Sequence, residues 1–163
     1  MDSEKLCEGI YQIGGAGFSS TRDCCVYLLN GGGKYAIVDC GTGANTDRIL
    51  ENTKSLEVSP QDVEYIILTH GHIDHTGGLG AMLKTFPNAK TIAHILELPA
   101  IEQGIVGLTA ADWYGIDYAG VKMDLVMEEV YHTLELGQIT LSSYHSPQKG
   151  KYCQRCGLEC VQD

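Results

Sequence analysis

The segment that most constrains the fold runs from a buried strand into a cluster of metal-binding residue types. VEYIILTH (63–70) is a continuous apolar run, which is typical of a strand covered on both faces. HGHIDH (70–75) follows at once and holds three of the six histidines of the chain together with Asp74. After two glycines, LGAMLKTF (79–86) repeats its apolar residues at helical spacing. We therefore expect the chain to turn from strand to helix around these histidines.

The rest of the sequence alternates between strand and helix patterns, which indicates an α/β architecture. Apolar runs bounded by glycine, and apolar residues at helical spacing, predict strands at 9–15, 24–30, 34–41 and 90–94, a hairpin around Gly137, and helices at 44–56 and 95–104. Thr46 is a candidate N-cap for the first helix. The stretch from 104 to 128 has no clear pattern.

Length and composition fit one domain with a substantial core, since 44% of the 163 residues are hydrophobic. No apolar run approaches the roughly 20 residues that span a bilayer, and MDSEKLCEG (1–9) lacks the apolar core of a secretory signal. We expect a cytoplasmic protein that does not contact a membrane. The net charge of −10 disfavours nucleic acid as a partner, because phosphate contacts need clustered lysine and arginine. A small-molecule substrate is expected, and a homo-oligomer stays open.

The histidine cluster has the donor chemistry of a metal site. If the chain stays extended, His70, His72 and Asp74 point the same way, and His75 points elsewhere unless the turn brings it around. Imidazole nitrogen and carboxylate oxygen suit zinc, iron or manganese. Four such donors in one turn serve two adjacent metals better than one. The alternative is a polar surface loop with a chance run of histidines. The predicted strand before the cluster and the predicted helix after it disfavour this alternative.

Two glycines after the cluster and a second stretch of sequence before it complete a pattern that resembles a known family. Gly77 and Gly78 let the backbone turn tightly and keep side chains away from the cluster. THGHIDHTGG (69–78) resembles the His-x-His-x-Asp-His signature of the metallo-β-lactamase-fold superfamily. YAIVDCGTG (35–43) resembles the strand and turn that precede this signature in the family, with Asp39 at the position of the family's buried aspartate. The resemblance implies an α/β fold of the αββα sandwich type.

The resemblance covers roughly residues 9 to 147 and implies ligands and a reaction. His70 and His72 would bind the first metal, Asp74 and His75 the second, and Asp74 would also be catalytic. A metal-bound water would attack an ester, thioester, amide or phosphodiester bond. Two divalent metal ions are expected, with zinc as the first choice and iron as the alternative. Glyoxalase II-like thioester hydrolysis is the family activity to test first.

The sequence departs from the family pattern near residue 147, so we divide the chain into a metallo-β-lactamase-like domain (1–147) and an atypical cysteine-containing tail (148–163). The family has a further metal-1 histidine in a Pro-Gly-His-Thr-x-Gly segment. Gln148 and Lys149 stand where its glycine and histidine should be. A protonated lysine is a poor metal ligand. We expect the second half of the αββα fold to be incomplete.

Three explanations of the tail stay open. In the first, the final 16 residues are a non-native reading frame or end at an early stop, which leaves a truncated chain. Alternatively, a partner chain completes the fold, as in a swapped dimer. In the third, the tail is a genuine variation that builds a different site, with His145 as a candidate replacement ligand. A histidine in a hairpin is more often structural.

The cysteine spacing suggests no disulfide framework. Of the seven cysteines, those at 7, 24, 25 and 40 are expected to be core or half-buried thiols. Cys153, Cys156 and Cys160 have the spacing C-x₂-C-x₃-C, which occurs in zinc and iron–sulfur sites. A complete all-cysteine site needs a fourth ligand, and no fourth cysteine lies nearby. We favour incidental cysteines in the tail.

The main hypothesis is a metal-dependent hydrolase of small ester, thioester or lactam substrates. Two rivals are an iron-dependent oxygen or persulfide redox enzyme of the same fold and a non-catalytic chain. Outside the signature, we interpret His94 as a structural histidine at a strand end. Trp113, Tyr114 and Tyr118 either line a substrate groove or, as is more common, belong to the core.

Overall fold

The computed structural model describes residues 3–147 and 154–161, which form two β-sheets with helices on one side. The larger sheet has the order β1-β2-β3-β4-β5-β6-β7, and the smaller sheet has the order β10-β9-β8. The strands of the larger sheet are β1 (Glu4–Cys7), β2 (Ile10–Gly14), β3 (Val26–Asn30), β4 (Tyr35–Val38), β5 (Val63–Ile67), β6 (Lys90–His94) and β7 (Leu125–Met127). Those of the smaller sheet are β8 (Tyr131–Leu136), β9 (Ile139–Pro147) and β10 (Gln154–Val161).

The helices are short apart from the first. They are α1 (Thr46–Ser55), α2 (Ile73–Thr76), α3 (Leu79–Thr85), α4 (Leu98–Ile101), α5 (Val106–Thr109) and α6 (Ala111–Tyr114), with 3₁₀ turns at Pro60–Asp62 and Ile95–Glu97. In the part of the chain that the structure describes, none of these helices has the length and apolar character needed to cross a bilayer.

Strand direction sets where a site can form. Strands β1 to β4 are antiparallel neighbours, whereas β4, β5, β6 and β7 run parallel to one another. The carboxyl ends of the parallel strands therefore meet at one edge of the sheet. In α/β proteins this edge is where ligands usually bind. The histidine cluster follows β5 at this edge, and His94 ends β6 beside it.

The larger sheet is covered on both faces, as the apolar run of β5 predicts. One face packs against α1 and α3, where Ile49 and Met82 are buried in one cluster with Ile66 of β5. The other face packs against the smaller sheet, where Ile67 shares a second cluster with Leu141 of β9. The layers are thus helix, sheet and sheet, which confirms the predicted α/β class and sandwich type.

Most predicted elements are confirmed, with differences at their ends. The strand predicted at 90–94 has these bounds, and the hairpin turns around Gly137. The N-cap of α1 is Asn45, so Thr46 as N-cap is wrong. The Thr46 hydroxyl instead donates to the Gly43 carbonyl, within the turn that precedes the helix. The stretch from 104 to 128, which has no clear pattern, contains α5, α6 and β7.

The backbone of β10 pairs antiparallel with β9, from Gln154 opposite Pro147 to Val161 opposite Thr140. Cys156 and Cys160 lie on this strand, whereas Gln148, Lys149 and Cys153 lie outside the described residues. The proposed boundary at 147 and the interpretation of the tail cysteines stay predictions.

Candidate metal centre

The chain leaves its extended conformation inside the signature. Strand β5 ends at Ile67, and His72, the residue before α2, has extended backbone angles of φ −67° and ψ 147°. Asp74 and His75 then lie in the first turn of the helix. The strand alternation that would align His70, His72 and Asp74 therefore ends before Asp74. A helical turn determines the direction of the last two candidate ligands.

This turn brings His75 back to the other histidines. The ring centroids of His70 and His75 lie 3.9 Å apart, and those of His70 and His72 lie 4.6 Å apart. Oδ2 of Asp74 lies 3.6 Å from Nε2 of His75. The four predicted ligands His70, His72, Asp74 and His75 thus form one compact group. The His75 side chain adopts the alternative in which the turn brings it around.

Asp39 holds the far side of the His75 ring. Its Oδ2 lies 2.8 Å from Nδ1 of His75, while its Oδ1 accepts the Thr69 backbone N–H at 2.9 Å. The Thr69 hydroxyl donates to Oδ2 at 2.8 Å. A carboxylate only accepts hydrogen bonds, so the proton of His75 lies on Nδ1 and its lone pair on Nε2. Metal-binding histidines are commonly oriented in this way by an outer carboxylate.

Backbone packing behind the helix explains the two glycines of the signature. A Cβ atom on Gly77 would collide with the Thr42 carbonyl oxygen, and one on Gly78 would collide with the Cys40 carbonyl oxygen. These carbonyls belong to the turn after β4, immediately beyond Asp39. The two glycines therefore let the start of α3 pack against the turn that carries the orienting aspartate. This reason differs from the tight turn expected from the sequence, since both glycines have right-handed helical backbone angles.

Glu97 supports the loop between the first two histidines. Its Oε2 accepts the Gly71 backbone N–H at 2.9 Å. Burial raises the pKa of Glu97, and the hydrogen bond from Gly71 opposes this shift. A Cβ on Gly71 would collide with the Ala100 side chain, so α4 packs closely over this loop. Nothing in the sequence pattern singles out Glu97, because the contact joins two segments separated by β6.

His145, the candidate replacement ligand, lies against His94. Their rings are stacked, with centroids 3.9 Å apart and planes inclined by 11°. Nδ1 of His94 accepts the Leu96 N–H at 3.3 Å, and burial followed by the charge of His145 lowers the pKa of His94. Nδ1 of His145 is buried and has no hydrogen-bond partner among the described residues. The pair links the end of β9 to the end of β6, and a ligand role for His145 stays a prediction.

Cys24 is a further residue of this site that the sequence reasoning left among the ordinary thiols. Its Sγ, a carboxylate oxygen of Asp39 and a ring nitrogen of His75 lie within 4.8 Å of one another. Burial, and then the charge of Asp39, raise the pKa of the Cys24 thiol. Strand alternation could have indicated that Cys24 faces inwards, because Cys24, Val26 and Leu28 are every second residue and Val26 and Leu28 are buried.

The remaining cysteines and aromatic residues divide between the surface and the interior. Cys40 is buried as expected, but Cys7 and Cys25 are exposed. The Trp113 side chain is 85% exposed, so it does not belong to the core. Tyr118 is half-buried and its hydroxyl donates to the Ile101 carbonyl at 3.0 Å. The apolar character of these residues did not indicate which of them faces the solvent.

Known proteins resemble this chain in sequence and in fold. The model of the Metallo-beta-lactamase superfamily matches residues 21–141, and the chain therefore belongs to this superfamily. Over 55 residues the chain is 44% identical to 7,8-dihydropterin-6-methyl-4-(beta-D-ribofuranosyl)-aminobenzene-5'-phosphate synthase of Methanocaldococcus jannaschii, a match that covers 34% of this chain and 18% of that protein. Over 103 residues it is 29% identical to N-acyl homoserine lactonase AttM of Azorhizobium caulinodans, covering 58% of this chain and 35% of the lactonase.

A solved structure supports the fold of the described residues. The class B3 di-zinc metallo-β-lactamase from an Alaskan soil metagenome superposes with a TM-score of 0.80 at 22% identity. The superposition covers 100% of this chain and 58% of the lactamase. The chain thus spans less than two thirds of the length of the proteins that it matches here.

Proposed function

We propose that the protein is a metal-dependent hydrolase of small ester, thioester or lactam substrates and that it uses two divalent ions, with zinc as the expected metal. The observation that carries the proposal is the close grouping of three imidazole rings and one carboxylate, with the His75 ring oriented by Asp39. Superfamily membership supports hydrolysis, and the lactonase and di-zinc lactamase relatives support a carbonyl substrate and zinc.

The donor set fits the metals. His70 and His72 would hold one ion, and Asp74 and His75 the other, because imidazole nitrogen and carboxylate oxygen suit zinc or iron. The Asp39 hydrogen bond fixes the tautomer of His75 with its lone pair on Nε2, beside Asp74. When bound, the ions supply a water of lowered pKa and polarise the substrate carbonyl.

The protein groups around the ions have separate tasks. The Asp74 carboxylate has two oxygens, so one of them is available to accept the proton that the attacking water releases. Thr69 holds Asp39 through both its N–H and its hydroxyl, which keeps the orienting carboxylate in place. Glu97 holds the Gly71 N–H and thereby fixes the loop that carries His70 and His72. Together these contacts preorganise the ligands before substrate arrives.

Metal analysis and activity measurements on the same preparation test the proposal. The protein is purified without added metal, assayed for zinc and iron, and tested on an ester, a thioester and a lactam before and after addition of zinc. We expect hydrolysis that a chelator abolishes and zinc restores. Abundant iron without zinc would favour the redox alternative, and bound zinc without hydrolysis of any substrate would favour the non-catalytic one.

A further inference from the structure

Arg22 is held in place next to Tyr114. Its Nη2 donates to the Tyr114 backbone carbonyl at 2.6 Å, and its guanidinium carbon lies 5.1 Å from the centroid of the Tyr114 ring. Arginine over an aromatic face is a favourable cation–π arrangement. Two separate contacts to one residue restrict the guanidinium, although the Arg22 side chain itself is exposed.

The backbone around Arg22 is attached to the metal centre. The next residue, Asp23, is buried and accepts hydrogen bonds from both the N–H and the hydroxyl of Thr42, at 2.8 Å and 2.6 Å. The N–H of Cys24 donates to the Asp74 carbonyl at 3.2 Å. Arg22 is thus two residues from a direct contact with a candidate metal ligand.

The Tyr114 phenol lies within the electrostatic range of both Arg22 and Asp74. Burial raises the pKa of the Tyr114 phenol, the charge of Asp74 raises it further, and the charge of Arg22 opposes both effects. Asp74 and Arg22 are therefore both near enough to Tyr114 to change its ionisation. Arg22 and Tyr114 contact each other and are linked to the Asp74 segment through the Cys24 backbone, and we term this pair the Arg22–Tyr114 clamp.

The charge of Arg22 is not neutralised within the described part of the chain. Other cations have carboxylate partners, such as Arg48 with Glu51 at 3.2 Å and Lys34 with Asp62 at 3.4 Å. Arg22 makes no such ion pair among residues 3–147, and one of its five N–H groups bonds to Tyr114. In a chain with a net charge of −10, an oriented arginine without a carboxylate partner suits an anionic ligand.

We propose that the Arg22–Tyr114 clamp binds the carboxylate or phosphate group of an anionic substrate whose scissile bond lies at the candidate metal centre. This inference rests on the proposed hydrolase function and makes it more specific, since it selects substrates with a negative charge away from the reacting carbonyl. The planar guanidinium fork matches both anions, so both share the same recognition chemistry. Lysine would supply the charge without the fork.

Fluorescence of Trp113 measures this binding without turnover. Trp113 is the single tryptophan of the sequence, is 85% exposed and adjoins Tyr114. The full chain is titrated with glutarate, with phenyl phosphate and with the neutral glutaramide, each before and after zinc loading. We expect saturable changes with an anion and none with glutaramide. The anion with the lower Kd assigns the carboxylate or the phosphate source.

Three variants decide the role of Arg22. We expect Arg22→Gln to raise the Kd of the preferred anion about fivefold or more, and Arg22→Lys to raise it less. Arg48→Gln, a matched control on α1, should leave the Kd unchanged. Equal Kd values for Arg22→Gln and the unmodified protein, equal binding of glutaramide, or no saturable binding of either anion would overturn the inference.

Kinetics separate this inference from the proposed function. The ratio of kcat/KM for 4-nitrophenyl hydrogen glutarate to that for the neutral 4-nitrophenyl butyrate should exceed one. In Arg22→Gln this ratio should fall, mainly through a higher KM for the charged ester. Hydrolysis of both esters without charge preference contradicts the clamp alone. Absence of hydrolysis contradicts the hydrolase, while the fluorescence titration still decides whether the clamp binds anions.

Discussion

The Asp39 carboxylate lies 2.8 Å from Nδ1 of His75, and Asp39 as a residue is almost completely buried, with 3% of its surface exposed. The backbone of Asp39 lies in the left-handed region with φ 62°, which aspartate and asparagine tolerate better than most residues. The aspartate at the end of β4 therefore has two functions. Its backbone forms part of the turn after the strand. Its carboxylate holds Nδ1 of His75, so that Nε2 of the same ring lies on the side of Asp74.

Asp39→Asn tests this orientation while it keeps the backbone conformation. An amide is neutral and provides one acceptor oxygen in place of two, so the His75 tautomer is no longer held by a charge. We expect zinc affinity to fall by about 10- to 100-fold, as for other outer-sphere substitutions. Competition with a chromophoric chelator measures the affinity, and circular dichroism checks the fold. Zinc affinity equal to that of the unmodified protein would contradict the role assigned to Asp39.

His72→Ala tests the ligand assignment itself. His72 is half-buried and belongs to neither core cluster, so its removal leaves these clusters intact. We expect loss of stoichiometric metal and of hydrolysis from a folded protein. The matched control is His132→Ala on β8, whose side chain is exposed and lies outside the signature. Metal content by plasma mass spectrometry distinguishes the two variants, and retained stoichiometric metal in His72→Ala would refute the assignment.

Two glycines close in sequence should respond in opposite ways to alanine. On Gly78 a Cβ would collide with the Cys40 carbonyl, whereas a Cβ on Gly80 in α3 meets no atom within 4 Å. We expect Gly78→Ala to lower the free energy of unfolding by roughly 1–3 kcal/mol, as for overpacked sites. Gly80→Ala should raise it by about 0.5–1 kcal/mol, because alanine favours the helix. Urea denaturation measures both, and equal effects would show that the turn adjusts to the side chain.

Much of the fold can be predicted because its pattern is local. The apolar patterns at 90–94 and from Leu79 onwards predict a strand and a helix, and the structure contains both. The histidine cluster was also visible, because its members are neighbours in sequence. Local patterns left open whether the chain stays extended through Asp74 or turns before it, and the start of α2 at Ile73 shows that Asp74 lies in a helix.

The rest of the site depends on contacts between distant segments. Arg22 and Tyr114 are separated by 92 positions, and Glu97 contacts Gly71 across 26 positions. No spacing rule brings such pairs together, since the order of strands in the sheet decides which loops meet. Cys24 differs from these, because strand alternation from Val26 places it on the inner face. The structure was therefore needed to identify contacts between loops at the edge of the sheet. The inward direction of a strand residue, in contrast, could be predicted from the sequence.

The Tyr118 hydroxyl gives a pH-dependent test of packing around α4. Burial raises the pKa of Tyr118 to about 12 from its ordinary value of 10.0. Between these values the unfolded chain has already lost the phenolic proton that the folded chain keeps, so stability falls as the pH rises from 10 towards 12. Tyr118→Phe removes this contribution together with the hydrogen bond to the Ile101 carbonyl. The variant should be less stable at pH 8, by about 1 kcal/mol for the lost hydrogen bond, yet lose less stability on going to pH 11. Urea denaturation at the two pH values gives the difference, and parallel losses in both proteins would show that Tyr118 ionises as easily in the folded chain as in the unfolded one.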